Sequence, residues 1–134
     1  MKLVKEGLRI GDFNVIEVVV TKEMFAQFGA EVVHPTYSTA SMVYHMEWAS
    51  RDLMLPYLEE SAESAGAAVT VKHIAPSALG SNIEVKAVAA NISEQEVITE
   101  VTATNETGLI GKGKVKQVVL PKHTMQTNLD NNSR

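Results

Sequence analysis

The sequence predicts an α+β domain, an antiparallel sheet packed around one long helix. Three observations carry that reading. A helical apolar stripe runs from Ser41 to about Leu55. Four strand-like stretches follow between Ala67 and Pro121, separated only by short turns. A β-branched stretch, Phe13 to Val20, precedes the helix. Strands joined by about 3–6 residues pair antiparallel, because parallel pairing needs a crossover of a dozen residues or more.

The composition suits one globular domain. The chain has 134 residues, 45% of them apolar and 21% charged, with 8 Gly and 4 Pro, which excludes collagen-like or low-complexity character over its body. Cysteine is absent, so thiolate catalysis, Cys-ligated zinc and disulfide scaffolds are excluded. The net charge of −4 argues against a nucleic-acid partner, which asks for a clustered basic excess. Charged residues interrupt Met1-Lys2-Leu3-Val4-Lys5-Glu6-Gly7, so this start does not read as a signal peptide. No apolar run reaches the ~18 residues of a membrane span, and the expected compartment is the cytoplasm. His123 to Arg134 is polar, Asn-rich and aperiodic, and is expected to be a disordered tail beyond a single domain at 1–122.

The elements follow from local pattern. Val15, Ile16, Val18, Val19 and Val20 make the first strand. Thr21 resembles an N-cap, and Met24, Phe25 and Phe28 predict a short helix ending at Gly29. Residues 32–35 read as a loop or short extended piece. In the long helix, Met42, Met46, Ala49 and Leu53 recur at helical steps, while Val43, Trp48 and Met54 broaden the apolar surface. Thr39 or Ser38 caps it, and Pro56 ends or bends it. Residues 61–66 are small and read as a connection. The four strands are then Ala67–Ala75, Asn82–Ile92, Glu96–Asn105 and Leu109–Pro121. A single sheet over one helix leaves an open edge, which predicts at least a dimer.

Three residues stand out chemically. Glu47 lies in the apolar helix between Met46 and Trp48, where a carboxylate is costly unless paired and where burial favours its protonated form. Such a group is either a base or nucleophile, or it lies on a solvent stripe. His73 falls on the more apolar face of its strand with Ala67, Val69, Val71 and Ala75, either as a proton carrier or as a satisfied core histidine. Thr39 is an N-cap or a polar group at a helix entrance that favours anions. His34 reads as a loop residue and His45 as a polar-face residue. No histidine pair has metal-ligand spacing around an acid, so no metal is expected. Lys112, Lys114 and Lys116 share one strand face, solvated or attracting a phosphorylated ligand.

The segment His34 to Ser50 with Met46-Glu47-Trp48-Ala49, the stretch Gly66 to His73, and Ile110-Gly111-Lys112-Gly113 carry a resemblance over about residues 5–122. They resemble the fluoroacetyl-CoA thioesterase branch of the hotdog superfamily. The resemblance implies a hotdog fold and hydrolysis of an acyl-CoA to a carboxylic acid and free CoA. CoA belongs to the substrate, and no cofactor is implied. It also implies a homodimer, or a tetramer of paired dimers, with two sites at the subunit interface. Its catalytic set falls on Thr39, Glu47 and His73, and its site-lining glycine on Gly66. Two positions depart. Gln117 stands where the family has a substrate-contacting arginine, and Val33 stands near an aromatic lid residue. Both bear on specificity, so a short or medium acyl-CoA is expected instead of fluoroacetyl-CoA.

Two rival functions remain at this level. One is hydration or dehydration of an enoyl thioester, with His34-Pro35 and Glu47 resembling the histidine and acid of acyl-carrier-protein dehydratases. The other is a non-catalytic acyl-CoA-binding module.

Overall fold

The structure, a computed structural model, describes residues 3–132. Residues 1–2 and 133–134, the outer ends of the expected domain and tail, lie outside the described residues.

Strand β1 (Phe13–Val19) opens the fold. A 3-10 turn at Lys22–Met24 leads into β2 (Phe25–Phe28) and β3 (Glu31–Tyr37), and helix α1 spans Thr39–Met54. After a 3-10 turn at Leu55–Tyr57 come β4 (Ala62–His73), β5 (Asn82–Ile92), β6 (Glu96–Asn105) and β7 (Gly108–Pro121). Helix α2 (Lys122–Asn132) closes the described chain. The main sheet has the order β1-β5-β6-β7-β4 and is antiparallel throughout. Helix α1 touches all five of its strands, the hotdog arrangement.

The apolar stripe of α1 supplies the core. Met42, Met46 and Ala49 are fully buried against Val85, Ala87, Val101, Ala103, Ile110 and Val115. Leu53 and Met54 continue into a second cluster with Leu3, Ala62, Ala89, Val97 and Val119. Small residues on the sheet (Ala87, Ala89, Ala103) let the helix approach closely. Gly111 does the same, since a Cβ there would overlap the Met42 side chain.

The structure departs from the sequence reading at four places. The helix expected after Thr21 shrinks to Lys22–Met24, and residues 25–37 form a separate hairpin. Its two-residue turn is Gly29-Ala30, both with positive φ (57° and 67°), which matches the twist of a tight hairpin. An Ala in that conformation carries no turn signature, so the hairpin was hidden. Strand β4 begins at Ala62, because the supposed connection pairs with Val118, Val119, Leu120 and Pro121 of β7. His45 is buried, not on a polar face. Residues 123–132 of the expected disordered tail belong to helix α2, in which no side chain is fully buried.

Strand β4 carries a bulge between Gly66 and Ala68: Gly66 faces Gln117, and Ala68 faces the adjacent Lys116. A bulge shifts the alternation of side chains by one residue. Before it, the even residues Ala62 and Ser64 are buried; after it, the odd residues Val69, Val71 and His73 are the better covered. Gly66 and His73 are seven residues apart, which puts them on opposite faces of a regular strand. Here both face α1.

Candidate active site

The start of α1 is set by Ser38, whose side chain accepts a hydrogen bond from the Ser41 N–H at 2.9 Å. That resolves the cap and leaves the Thr39 hydroxyl free for another partner. The partner is His73, whose Nδ1 lies 2.8 Å from Thr39 Oγ1. The other ring nitrogen, Nε2, is buried and has no hydrogen-bond partner among the described residues.

Behind His73 lies a second polar pair. Tyr37 and His45 are both buried, with the Tyr37 hydroxyl 2.7 Å from His45 Nδ1 and the two rings stacked at 5.8 Å between centroids. The Tyr37 ring meets the His73 ring edge-on at 6.4 Å. Desolvation pushes the Tyr37 phenol above and the His45 imidazole below their ordinary values. Both groups are thereby held neutral, so the hydrogen bond joins a neutral phenol to a neutral imidazole. No sequence signal marked this pair, because Tyr37 ends a strand of which only residues 32–35 read as a loop or short extended piece.

Glu47 is half-buried on α1, two turns beyond Thr39. Its carboxylate rests on the bare Cα of Gly66, where a Cβ would overlap Oε1 and stand 2.8 Å from the carboxylate carbon. Eight residues of helix separate Thr39 from Glu47, about 12 Å of rise. Seven residues of strand separate Gly66 from His73, roughly 20 Å. Within one chain, then, Thr39 meets His73 at one end and Glu47 meets Gly66 further along.

Gln117 is fully buried and lies directly across from Gly66 in the β4–β7 ladder. Val33 stands apart, exposed on the β2–β3 hairpin, as does His34. Lys112 and Lys114 are exposed on the outer sheet face, and Lys116 forms an ion pair with Glu96 at 3.3 Å. Strand β4 is a sheet edge, paired on one side only by β7. Near that edge Arg51 of α1 contacts Glu63 at 3.3 Å, and the helix exposes Tyr44 and Trp48.

Comparison with known proteins identifies the fold and the family. Residues 20–123 match the family described as FlK, fluoroacetyl-CoA-specific thioesterase. The chain is 29% identical over 122 residues to the fluoroacetyl-CoA thioesterase of Streptantibioticus cattleyicolor, covering 87% of this chain and 88% of that one. A solved Thermus thermophilus protein, a hypothetical protein of the thioesterase superfamily, superposes with a TM-score of 0.90 at 38% identity, covering 94% and 93% of the two chains. The structure of the fluoroacetyl-CoA thioesterase FlK gives a TM-score of 0.88 at 25% identity, covering 96% of this chain and 100% of that one. With the matched region spanning α1 and every strand that carries the site, the chain belongs to the fluoroacetyl-CoA-specific thioesterase family and is a hotdog-fold acyl-CoA thioesterase.

Proposed function

We propose that the protein hydrolyses a short or medium acyl-CoA in a homodimer, using Thr39, Glu47 and His73. The observation that carries the reading is the Thr39–His73 hydrogen bond of 2.8 Å, together with an unpartnered Nε2 on the same ring. A hydroxyl that fixes one ring nitrogen leaves the other oriented for proton transfer.

The separation of Glu47 from that pair supports a site shared by two chains. Pairing the open edge of β4 with its copy about a two-fold axis at Thr70 would set Gly66 across from the partner's His73, provided that the bulged Ala67 is skipped there as it is against β7. Glu47 of one chain then adjoins the Thr39–His73 pair of the other. The exposed Tyr44 and Trp48, beside the same edge, are covered in such a pairing.

In this site Glu47 either attacks the thioester carbonyl, giving an anhydride that water cleaves, or activates the water directly. Charge developing on the carbonyl oxygen is met by backbone N–H groups of the β4 edge or of the α1 start. His73 polarises the thioester and passes a proton to the departing thiolate. Water and acyl-CoA become carboxylic acid and CoA. Gly66 keeps the floor beneath Glu47 open to substrate, and Val33 lies exposed on the β2–β3 hairpin.

A panel of acyl-CoAs with thiol detection tests the reading. Thiol release is expected, and Glu47→Gln, which keeps shape and removes basicity, is expected to lower kcat by about 10²–10⁴. Full activity in that variant discards the scheme. Loss of enoyl absorbance without thiol release would indicate hydration, and thermal stabilisation by acyl-CoA without turnover would indicate a binding module.

A further inference from the structure

Resting on the thioesterase reading above, we propose that Ser64 and Gln117 form a polar subsite beside Glu47 for an uncharged oxygen of the acyl group. The preferred substrate is then a short hydroxyacyl- or oxoacyl-CoA, not a plain alkanoyl-CoA.

Among the described residues, three buried side-chain polar atoms have no hydrogen-bond partner: His73 Nε2, Ser64 Oγ and Gln117 Nε2. The first belongs to the pair already described. The other two flank Gly66. Gln117 lies directly across from Gly66, and Ser64 precedes it by two residues on the same face. Residues directly opposite in a ladder have Cβ positions about 4.5–5.5 Å apart. The Gly66 Cα is also the surface on which the Glu47 carboxylate rests. Both orphan groups therefore border the acid, at 1% and 9% exposure for Gln117 and Ser64.

A buried donor without an acceptor destabilises the fold. The neighbours of Gln117 on the same face of β7 are Val115 and Val119, both fully buried, so an apolar side chain suits this location. An amide here makes sense when something brings an acceptor. A hydroxyl supplied by the acyl group accepts from Gln117 Nε2 and donates to Ser64 Oγ; a ketone oxygen accepts from both.

The charge of the missing group follows from its surroundings. Lys112 and Lys114 are exposed on the opposite face of the same strand, and the nearest ionisable group to Gly66 is the acid Glu47. The cation on the adjoining turn of α1, Arg51, is already paired with Glu63 at 3.3 Å, so a carboxylate on the acyl group would face that acid. A neutral oxygen meets two neutral donors without that conflict.

The test compares three four-carbon thioesters, 3-hydroxybutyryl-CoA, acetoacetyl-CoA and butyryl-CoA, by kcat/KM from thiol release. Sites built to hydrogen-bond a substrate oxygen reject the analogue lacking it strongly, so at least one oxygenated thioester should exceed butyryl-CoA by about 100-fold. Gln117→Leu should bring that ratio close to unity and raise Tm, since it removes an unpaired buried amide; a purely structural glutamine would lower Tm and leave the ratio alone. Ser64→Ala reads the same ratio independently and serves if the leucine variant does not fold. Equal turnover of all three thioesters by the wild type, or a ratio unchanged in the variants, overturns the subsite alone. Absence of hydrolysis across these and a wider acyl-CoA panel overturns the thioesterase reading and the subsite with it.

Discussion

Glu47 and Gly66 are fitted to each other: the carboxylate occupies the space that any side chain at position 66 would need. Two glycines in the same pair of strands separate reactivity from folding. Gly66→Ala displaces the flexible end of Glu47 and is expected to leave Tm within a few degrees while lowering kcat by about 100-fold, as misplacement of a reacting group does. At Gly113 a Cβ would overlap the Thr70 carbonyl, which is backbone and cannot swing away. Gly113→Ala is expected to cost about 1–3 kcal/mol or more of stability. Thermal melts beside thiol-release kinetics read both; equal Tm losses in the two variants contradict the distinction.

Ser38 and Thr39 divide two jobs that the sequence leaves open between them. Ser38 caps the helix, so Ser38→Ala is expected to cost about 1 kcal/mol of stability with the chemistry intact. Thr39→Val keeps the shape and loses the hydroxyl on His73, so kcat should fall by about 10-fold or more with little change in Tm. Thr39→Ser should retain most activity. A Thr39→Val enzyme as active as wild type removes Thr39 from the site.

A site shared between two chains makes a quantitative prediction for mixed dimers. Glu47→Gln and His73→Ala proteins, each inactive alone, are unfolded together and refolded. Half of the dimers are then mixed, and each mixed dimer holds one intact site, so about a quarter of wild-type activity should return. Sites confined to one chain restore nothing.

The Tyr37–His45 pair predicts how stability depends on pH. Burial depresses the His45 value in the folded state, so the unfolded chain takes up its proton first as pH falls. Stability from this group is full above the ordinary histidine value of about 6.5 and declines as pH drops below it. Between pH 7 and pH 5, the wild type should lose a few degrees more of Tm than His45→Leu, roughly the shift of a single linked proton. The other histidines are common to both proteins. Parallel pH–Tm curves would exclude His45 as the source.

Much of this architecture could be read from residue order. The stripe Met42, Met46, Ala49, Leu53 placed α1, and the apolar runs with short turns placed β5, β6 and β7 nearly to the residue. What stayed hidden was decided by partners distant in the chain. Ala62 to Ala65 are weak strand formers held by the valine-rich end of β7. The β2–β3 hairpin turns on an alanine with positive φ. His45 has no local reason to be buried, since its partner Tyr37 belongs to a different element. At the site, Thr39 and His73 could be named from residue type, but their hydrogen bond depended on which of two neighbours capped the helix. That Gly66 and His73 both face the helix depended on a bulge that the alternation along the strand did not reveal.

That one extra residue also makes β4 intolerant of length changes. Deleting Ala67 would restore a regular alternation, and a regular strand can turn only one of its halves toward the helix. Either the glycine floor or the histidine would rotate to the solvent side, with composition nearly unchanged and the sheet still intact. Chains of this type can therefore lose their chemistry through a single-codon deletion that no measure of side-chain similarity would flag.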